Sequence, residues 1–275
     1  MAPSTAEYLM HLLIPLPFIG LSVLYFILTF VLNPLLPLTN FSSYKEKTFA
    51  RFWLAFGPAL SAHVPAALPR LLAQSRGIVL DIGPGSGEQL HHFSRPENIT
   101  AIYGVEPGVS LHERLRAAAE KVGLGRKYHV LGATADLESI VPCLVKQGLI
   151  KPKQTSEGDL ELFDEITCIR VLCGVPNQPG TIADLYSLLK PGGRFVMCEH
   201  VRNKTDTLAG IAQKLYMILG WGALMGGCDM MRDTLSELTK VAKEKDGGWE
   251  KIEVEEVDDF SPSVHVVGVL TKKRK

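Results

Sequence analysis

The run Asp81-Ile82-Gly83-Pro84-Gly85-Ser86-Gly87 constrains this chain more than any other feature, because it directly follows the apolar stretch Ile78-Val79-Leu80. Glycines at alternate positions after a strand keep Cβ atoms away from a ligand and make positive φ available, so the segment reads as a ligand-binding turn. A phosphate-cradling P-loop needs Gly-Lys-Ser/Thr at its end, whereas Gly87 is followed by Glu88-Gln89. A dinucleotide fingerprint would put its third glycine where Glu88 stands, and a carboxylate there repels a pyrophosphate aimed at a helix start. The loop therefore suits a ligand without phosphates.

Glu106 closes the next apolar run, Ile102-Tyr103-Gly104-Val105. It lies about 20 residues beyond the glycine loop, a spacing at which an acidic residue accepts both hydroxyls of a ribose. A solvated carboxylate at a strand end is the plainer alternative. Strand patterns at 78–80, 102–105, 128–131, 165–172 and 194–198 alternate with helices from about Glu88, over 110–122 and over 181–189. That alternation predicts a doubly wound α/β sheet, and the patterns 251–257 and 265–270 predict a closing antiparallel hairpin. Residues 139–162, rich in Lys, Gly, Ser and Glu, read as an insertion or surface loop. Residues 45–74 read as linker and helices that either cover the pocket or pack on the domain.

With 275 residues, 46% of them hydrophobic, the chain can bury one sizeable core, and zero formal net charge argues against a nucleic-acid partner. Residues 8–44 contain no Asp, Glu, Lys or Arg, and 9–38 exceeds the roughly 20 apolar residues that a spanning helix needs. Pro15, Pro17, Pro34 and Pro37 break its ends, which leaves 18–32 for a short span or an interfacial segment. No Lys or Arg precedes the run, so an uncleaved anchor is expected over a signal peptide. Glu7 before it and Lys45, Lys47 and Arg51 after it orient the bulk of the chain toward the cytosol. Cys143, Cys168, Cys173, Cys198 and Cys228 include no C-x-x-C pair and lie mostly in apolar runs, so buried thiols in a reducing compartment are expected, without a metal.

Asp81-x-Gly83-x-Gly85-x-Gly87 resembles the first motif of the class I S-adenosylmethionine-dependent methyltransferases. Phe163-Asp164, Val171-Leu172-Cys173-Gly174-Val175, Leu188-Leu189-Lys190-Pro191-Gly192-Gly193-Arg194 and Cys198-Glu199-His200-Val201 resemble the methyltransferase-like 7 family in particular. So do Gly227-Cys228-Asp229-Met230-Met231-Arg232-Asp233-Thr234 and Pro262-Ser263-Val264-His265, so that the resemblance covers nearly the whole chain. It implies a Rossmann-like methyltransferase domain over 45–275 behind a membrane anchor over 1–44. It also implies S-adenosyl-L-methionine as cofactor, with its amino-acid part on Gly83, Gly85, Gly87 and Asp81, and its ribose on Glu106. Related enzymes place an acidic residue directly after the glycine of the third strand's loop. Here Gly132-Ala133-Thr134-Ala135-Asp136 displaces it to Asp136.

That family is associated with endoplasmic-reticulum and lipid-droplet membranes and with methylation of small thiols, which implies a lipophilic thiol acceptor and membrane lipid as partners. An oxygen or nitrogen acceptor stays open, as does a non-catalytic protein retaining the fold; a dehydrogenase comes third. His200, just past a strand's carboxyl end, is the expected base, the alternative being an imidazole bonded to a nearby loop. Cys173 ends a strand near the expected methyl position and is otherwise a small core residue. Asp229 and His265 are further candidates. Residues 208–231 either line a greasy acceptor pocket or pack as ordinary helix. The tail Lys272-Lys273-Arg274-Lys275 resembles a dilysine retrieval signal, or is a basic segment near anionic lipid.

Overall fold

In the computed structural model, which describes residues 4–151 and 160–274, strands and helices alternate much as the apolar pattern predicts. The strands are β1 (Gly77–Ile82), β2 (Ile99–Val105), β3 (Tyr128–Leu131), β4 (Phe163–Ile169), β5 (Leu189–His200), β6 (Trp249–Val257) and β7 (His265–Lys272). They form one sheet in the order β3-β2-β1-β4-β5-β7-β6. β1 to β5 run parallel, and β7 is antiparallel to both β5 and β6, which is the expected closing hairpin. Asp81 pairs with Gly104 on one side and Thr167 on the other, so the carboxyl ends of β1, β2 and β4 are level. The winding reverses between β1 and β4, and in open α/β sheets ligands gather outside that point.

Successive strand residues face opposite ways and feed two cores. Val79, Ile102 and Val196 lie on one face, under α5 (Ala67–Leu72) and α6 (His112–Lys121). Leu80, Ile82, Tyr103 and Ile166 lie on the other, under α7 (Leu137–Lys146), α8 (Gln178–Leu188) and α11 (Thr234–Asp246). The segment 139–162 departs from the expected loop. Asp136 caps α7 by accepting from Ser139 N, and Ile140 and Leu144 are fully buried. Residues 152–159 of that segment lie outside the described residues.

The helix expected from Glu88 is reduced to one 3-10 turn, Leu90–His92. Pro96 keeps Arg95 out of the helical region, at φ −124° and ψ 67°, and the few residues before it cannot bear the cost of helix nucleation.

The N-terminal prolines do not shorten the apolar segment as expected. α1 (Thr5–Leu13) and α2 (Pro15–Leu32) join through Ile14, because Pro15 and Pro17 fall in a first turn whose N–H groups are unpaired in any helix. Thr5–Leu32, 28 residues, is long and apolar enough to cross a membrane. After the short α3 (Leu36–Thr39), the chain turns into α4 (Phe41–Ser61), which runs back along α2. Tyr44 Oη donates to Phe26 O at 2.6 Å, and Tyr216 Oη of α9 (Leu208–Ile218) donates to Leu12 O at 2.6 Å.

The tail also differs from expectation. Lys272 is 1% exposed, and its Nζ donates to Tyr186 O and Leu189 O at 2.9 Å each. It therefore belongs to β7 and the core edge and is not free for a retrieval receptor; Lys275 lies outside the described residues.

Candidate functional site

A cavity of about 350 Å³ opens outside the carboxyl ends of β1, β2 and β4. Gly83 and Gly85 have φ of +62° and +61°, and their flatness is required. A Cβ on Gly83 would meet Val171 Cγ2 at 2.5 Å, and one on Gly85 would meet Trp53 Nε1 at 2.7 Å. Glu106 Oε2 accepts from Gly85 N at 3.0 Å, and Oε1 accepts from Gly108 N at 2.8 Å. The same carboxylate thus ties the glycine loop to the loop after β2 and lines the cavity. Burial pushes the Glu106 carboxyl up to about 7, against the pull of the Gly108 and Gly85 N–H groups.

Asp81 is placed differently from the other loop residues. Its Oδ1 accepts from Thr167 Oγ1 at 2.7 Å and its Oδ2 from Tyr128 Oη at 2.8 Å, beneath the loop and off the main cavity wall. Gly104 lacks a side chain where Tyr128 passes, which lets the phenol reach across β2. Burial raises the Asp81 carboxyl, opposed by those two hydroxyl donors. Asp136 lines the cavity with Thr134 and Ala135, while its Oδ1 accepts from Ser139 N at 2.9 Å.

Cys173, Gly174, Met225, Gly226 and Cys228 line the same cavity. Cys228 follows α10 (Trp221–Leu224), so it arrives from a distant part of the chain. His200 stands behind the two sulfurs, with Nδ1 3.9 Å from Cys173 Sγ and 3.7 Å from Cys228 Sγ. Cys228 is the more acidic of the pair: the hydrogen bond from Cys173 and the charge of His200 pull its thiol down, while that bond and burial push Cys173 up. His265 packs against His200 with ring centroids 4.3 Å apart. Asp229 turns away, accepting from Met231 N at 2.9 Å and facing Arg232. Of Tyr216, Met217, Leu219, Trp221, Leu224 and Met225, Met225 alone lines the cavity; Tyr216 and Trp221 pack in a small core with Phe18 and Ile19 of α2.

One of the two readings of 45–74 holds, and two further contributors, Arg170 and Glu199, escape sequence reading. α4 covers the cavity with Phe49 and Trp53, choosing between the two readings left open for 45–74. Arg170 lines the cavity in a left-handed conformation, φ +60°, and donates to Leu60 O and His63 O at 2.9 Å each. Glu199, fully buried, accepts from the N–H groups of Val171, Leu172 and Cys173 at 2.9, 2.9 and 3.2 Å. Burial pushes its carboxyl up to about 7. Charged residues inside the apolar stretches Cys168-Ile169-Arg170-Val171 and Met197-Cys198-Glu199 were the available signal.

Sheet order, glycine loop and strand-end glutamate together define the class I methyltransferase fold. The chain belongs to the methyltransferase domain family, which matches residues 55–242. A stretch of 92 residues is 29% identical to human thiol S-methyltransferase TMT1A, covering 34% of this chain and 36% of that protein. The fold superposes with a TM-score of 0.55 on an O-methyltransferase family 2 protein from Planctomyces limnophilus, solved with apigenin, at 17% identity over 81% of this chain and 61% of that one. An O-methyltransferase family protein from Burkholderia thailandensis gives a TM-score of 0.53 at 12% identity, over 85% of this chain and 61% of that one. The chain thus spans only part of the length of each of these relatives.

Proposed function

We propose that this chain is a membrane-anchored, S-adenosylmethionine-dependent methyltransferase acting on a small lipophilic acceptor, with thiol sulfur favoured over oxygen or nitrogen. The observation that carries the reading is a single cavity lined both by Glu106 with the flat Gly83 and Gly85 and by Cys173 and Cys228. The residues present fit the donor: a Cβ on either glycine would close the cradle, and the Glu106 carboxylate has lone pairs left for ribose hydroxyls. Asp136 serves the adenine end, and Asp81 acts from below by fixing the strand from which the loop springs. Bound there, S-adenosylmethionine supplies a methyl group already activated on a sulfonium.

The protein's remaining task is to dry, align and ionise the acceptor, and alignment alone contributes most of the acceleration in such transfers. Cys173 and Cys228, backed by His200, make a soft, polarizable wall, which suits a thiol whose free pKa is about 8.5. The name of the human relative supports the same acceptor.

Residues 1–44 serve as the anchor, and 45–275 form the methyltransferase domain, held at a cytosolic membrane surface. Only 17% of the apolar window in Thr5–Leu32 is buried, and α9 adds a stripe of Leu208, Ile211, Leu215 and Ile218, all exposed. The test is calorimetric binding of S-adenosylmethionine, followed by methyl transfer from labelled donor to a panel of thiols, phenols and amines. Thioether products are expected; no donor binding sinks the enzyme reading, and products confined to phenols sink the thiol.

A further inference from the structure

Cys173, His200 and Cys228 come from the loop after β4, the last residue of β5 and the segment after α10, yet their ligand atoms all lie within 4.8 Å of one another. We propose that they form a binding site for a soft divalent cation of the zinc class, set in the acceptor wall of the cavity. Zinc bonds of about 2.3 Å to sulfur and 2.0–2.1 Å to nitrogen, at tetrahedral angles, separate sulfur and nitrogen ligands by about 3.5 Å. The two sulfur–nitrogen separations here are 3.9 and 3.7 Å, and the sulfurs lie within 4.8 Å of one another against about 3.8 Å in a tetrahedral zinc site, so an ion is enclosed by closing the cysteine pair by up to about 1 Å. Two sulfurs and an imidazole, with no carboxylate among them, select zinc-class ions over magnesium or calcium.

The backbone that carries these ligands is already locked. Glu199 holds the N–H groups of residues 171–173, and Asp229 N donates to Cys173 O at 2.8 Å, tying the two cysteine segments together. Gly227 and Gly174 lie so close that a Cβ on Gly227 would meet Gly174 O at 3.0 Å. His265, buried and packed on His200, has no side-chain hydrogen-bond partner among the described residues, its polar contact being with the Ser263 backbone, so it backs the His200 ring at this corner.

Three protein ligands leave one coordination position, and because Cys173 and Cys228 line the cavity it opens there. Resting on the reading of that end as the acceptor site, the inference makes the fourth ligand the acceptor thiol itself, bound as thiolate with its proton released to solvent. His200 is then a ligand, and its lone pair is not free to act as a base.

The full chain, purified in detergent without chelator, is expected to carry about one zinc ion by elemental mass spectrometry, and to show a thiolate-to-cobalt charge-transfer band after exchange with Co²⁺. Cys173→Ser/Cys228→Ser is expected to lose both signals while still binding S-adenosylmethionine beside Glu106. Wild-type protein that takes up no zinc and shows no thiolate–cobalt band overturns the site, whatever the variant does. Zinc content unchanged in the double variant overturns it as well. Methyl transfer to thiols by metal-free protein would remove the site and leave the acceptor reading standing. Bound zinc without transfer to any thiol would do the reverse.

Discussion

At the donor end of the cavity the ligand-facing groups come chiefly from one stretch, 83–108, in which strand, loop and the next strand follow in order. At the acceptor end Cys173, His200 and Cys228 are brought together from three separate segments, and no local spacing announces them. The proposed donor end is built from flat glycines and one carboxylate that holds the loop's N–H groups, and such features are set by neighbours in sequence. The acceptor end needs side chains of particular softness at particular distances, and only the completed sheet with its β5-to-α11 excursion supplies them.

The sharpest way to break that division is Glu106→Ala. The carboxylate holds Gly85 and Gly108 and is the proposed ribose partner, and hydrogen bonds to a charged group contribute about 1.5–3 kcal/mol each. Losing two of them should weaken S-adenosylmethionine binding by roughly a hundredfold or more, read by titration calorimetry. Unchanged affinity would move the donor out of this end altogether.

Cys228→Ala probes the other half. Methyl transfer to a thiol should fall about ten- to hundredfold, within the range of a lost proton-handling or ligating group, while donor affinity stays within about twofold. A parallel fall in donor affinity would show that the two ends are one energetic unit.

A gentler test uses pH. The Glu106 carboxyl is raised to about 7 by burial, so below that value it is mostly protonated and must lose its proton to accept from two ribose hydroxyls as a carboxylate. Donor affinity should therefore rise with pH, by up to about tenfold per unit below 7, and level off above about 8. Glu106→Gln should bind weakly and without that slope, whereas Cys228→Ala should keep it.

How much of this was legible follows the same division. The strands from Ile78 to Leu131, the glycine loop, Glu106 and the final hairpin were readable because strand period and turn chemistry are local signals. α7 was missed because Lys, Gly and Ser dominate the surrounding segment and obscure the buried pair Ile140 and Leu144, which lies one helical turn apart. The helix expected after Gly87 failed because Pro96 and short length outweigh propensity. Cys173 and His200 were picked singly by their place at strand ends, but the arrangement that puts His200 behind two sulfurs depends on Cys228. That residue's position is set by the Gly226-Gly227 turn, with φ of +66° and +90°, packed on Gly174. Lys272 looked like part of a basic tail because a buried lysine bonded to two carbonyls leaves no mark in composition.

The smallest expected effect concerns where the acceptor end faces. Leu208, Ile211, Leu215 and Ile218 recur at helical spacing on α9 and are 62%, 55%, 53% and 81% exposed. The same helix is fastened to α1 through Tyr216 and leads through α10 to Met225 and Cys228 on the cavity wall. If this stripe sits in lipid beside Thr5–Leu32, Ile211→Ser/Ile218→Ser removes apolar groups from the bilayer without touching the core. Each buried methylene contributes about 0.8 kcal/mol, but the long N-terminal segment dominates, so co-flotation with phosphatidylcholine vesicles should fall only about two- to threefold. Deleting residues 1–40 should cause the larger loss. The double substitution should also raise KM for a long-chain thiol more than for a short, water-soluble one, since only the former arrives through the membrane. Equal KM values for both thiols, with flotation unchanged, would place α9 in water and make the N-terminal segment the sole route by which the acceptor end meets lipid.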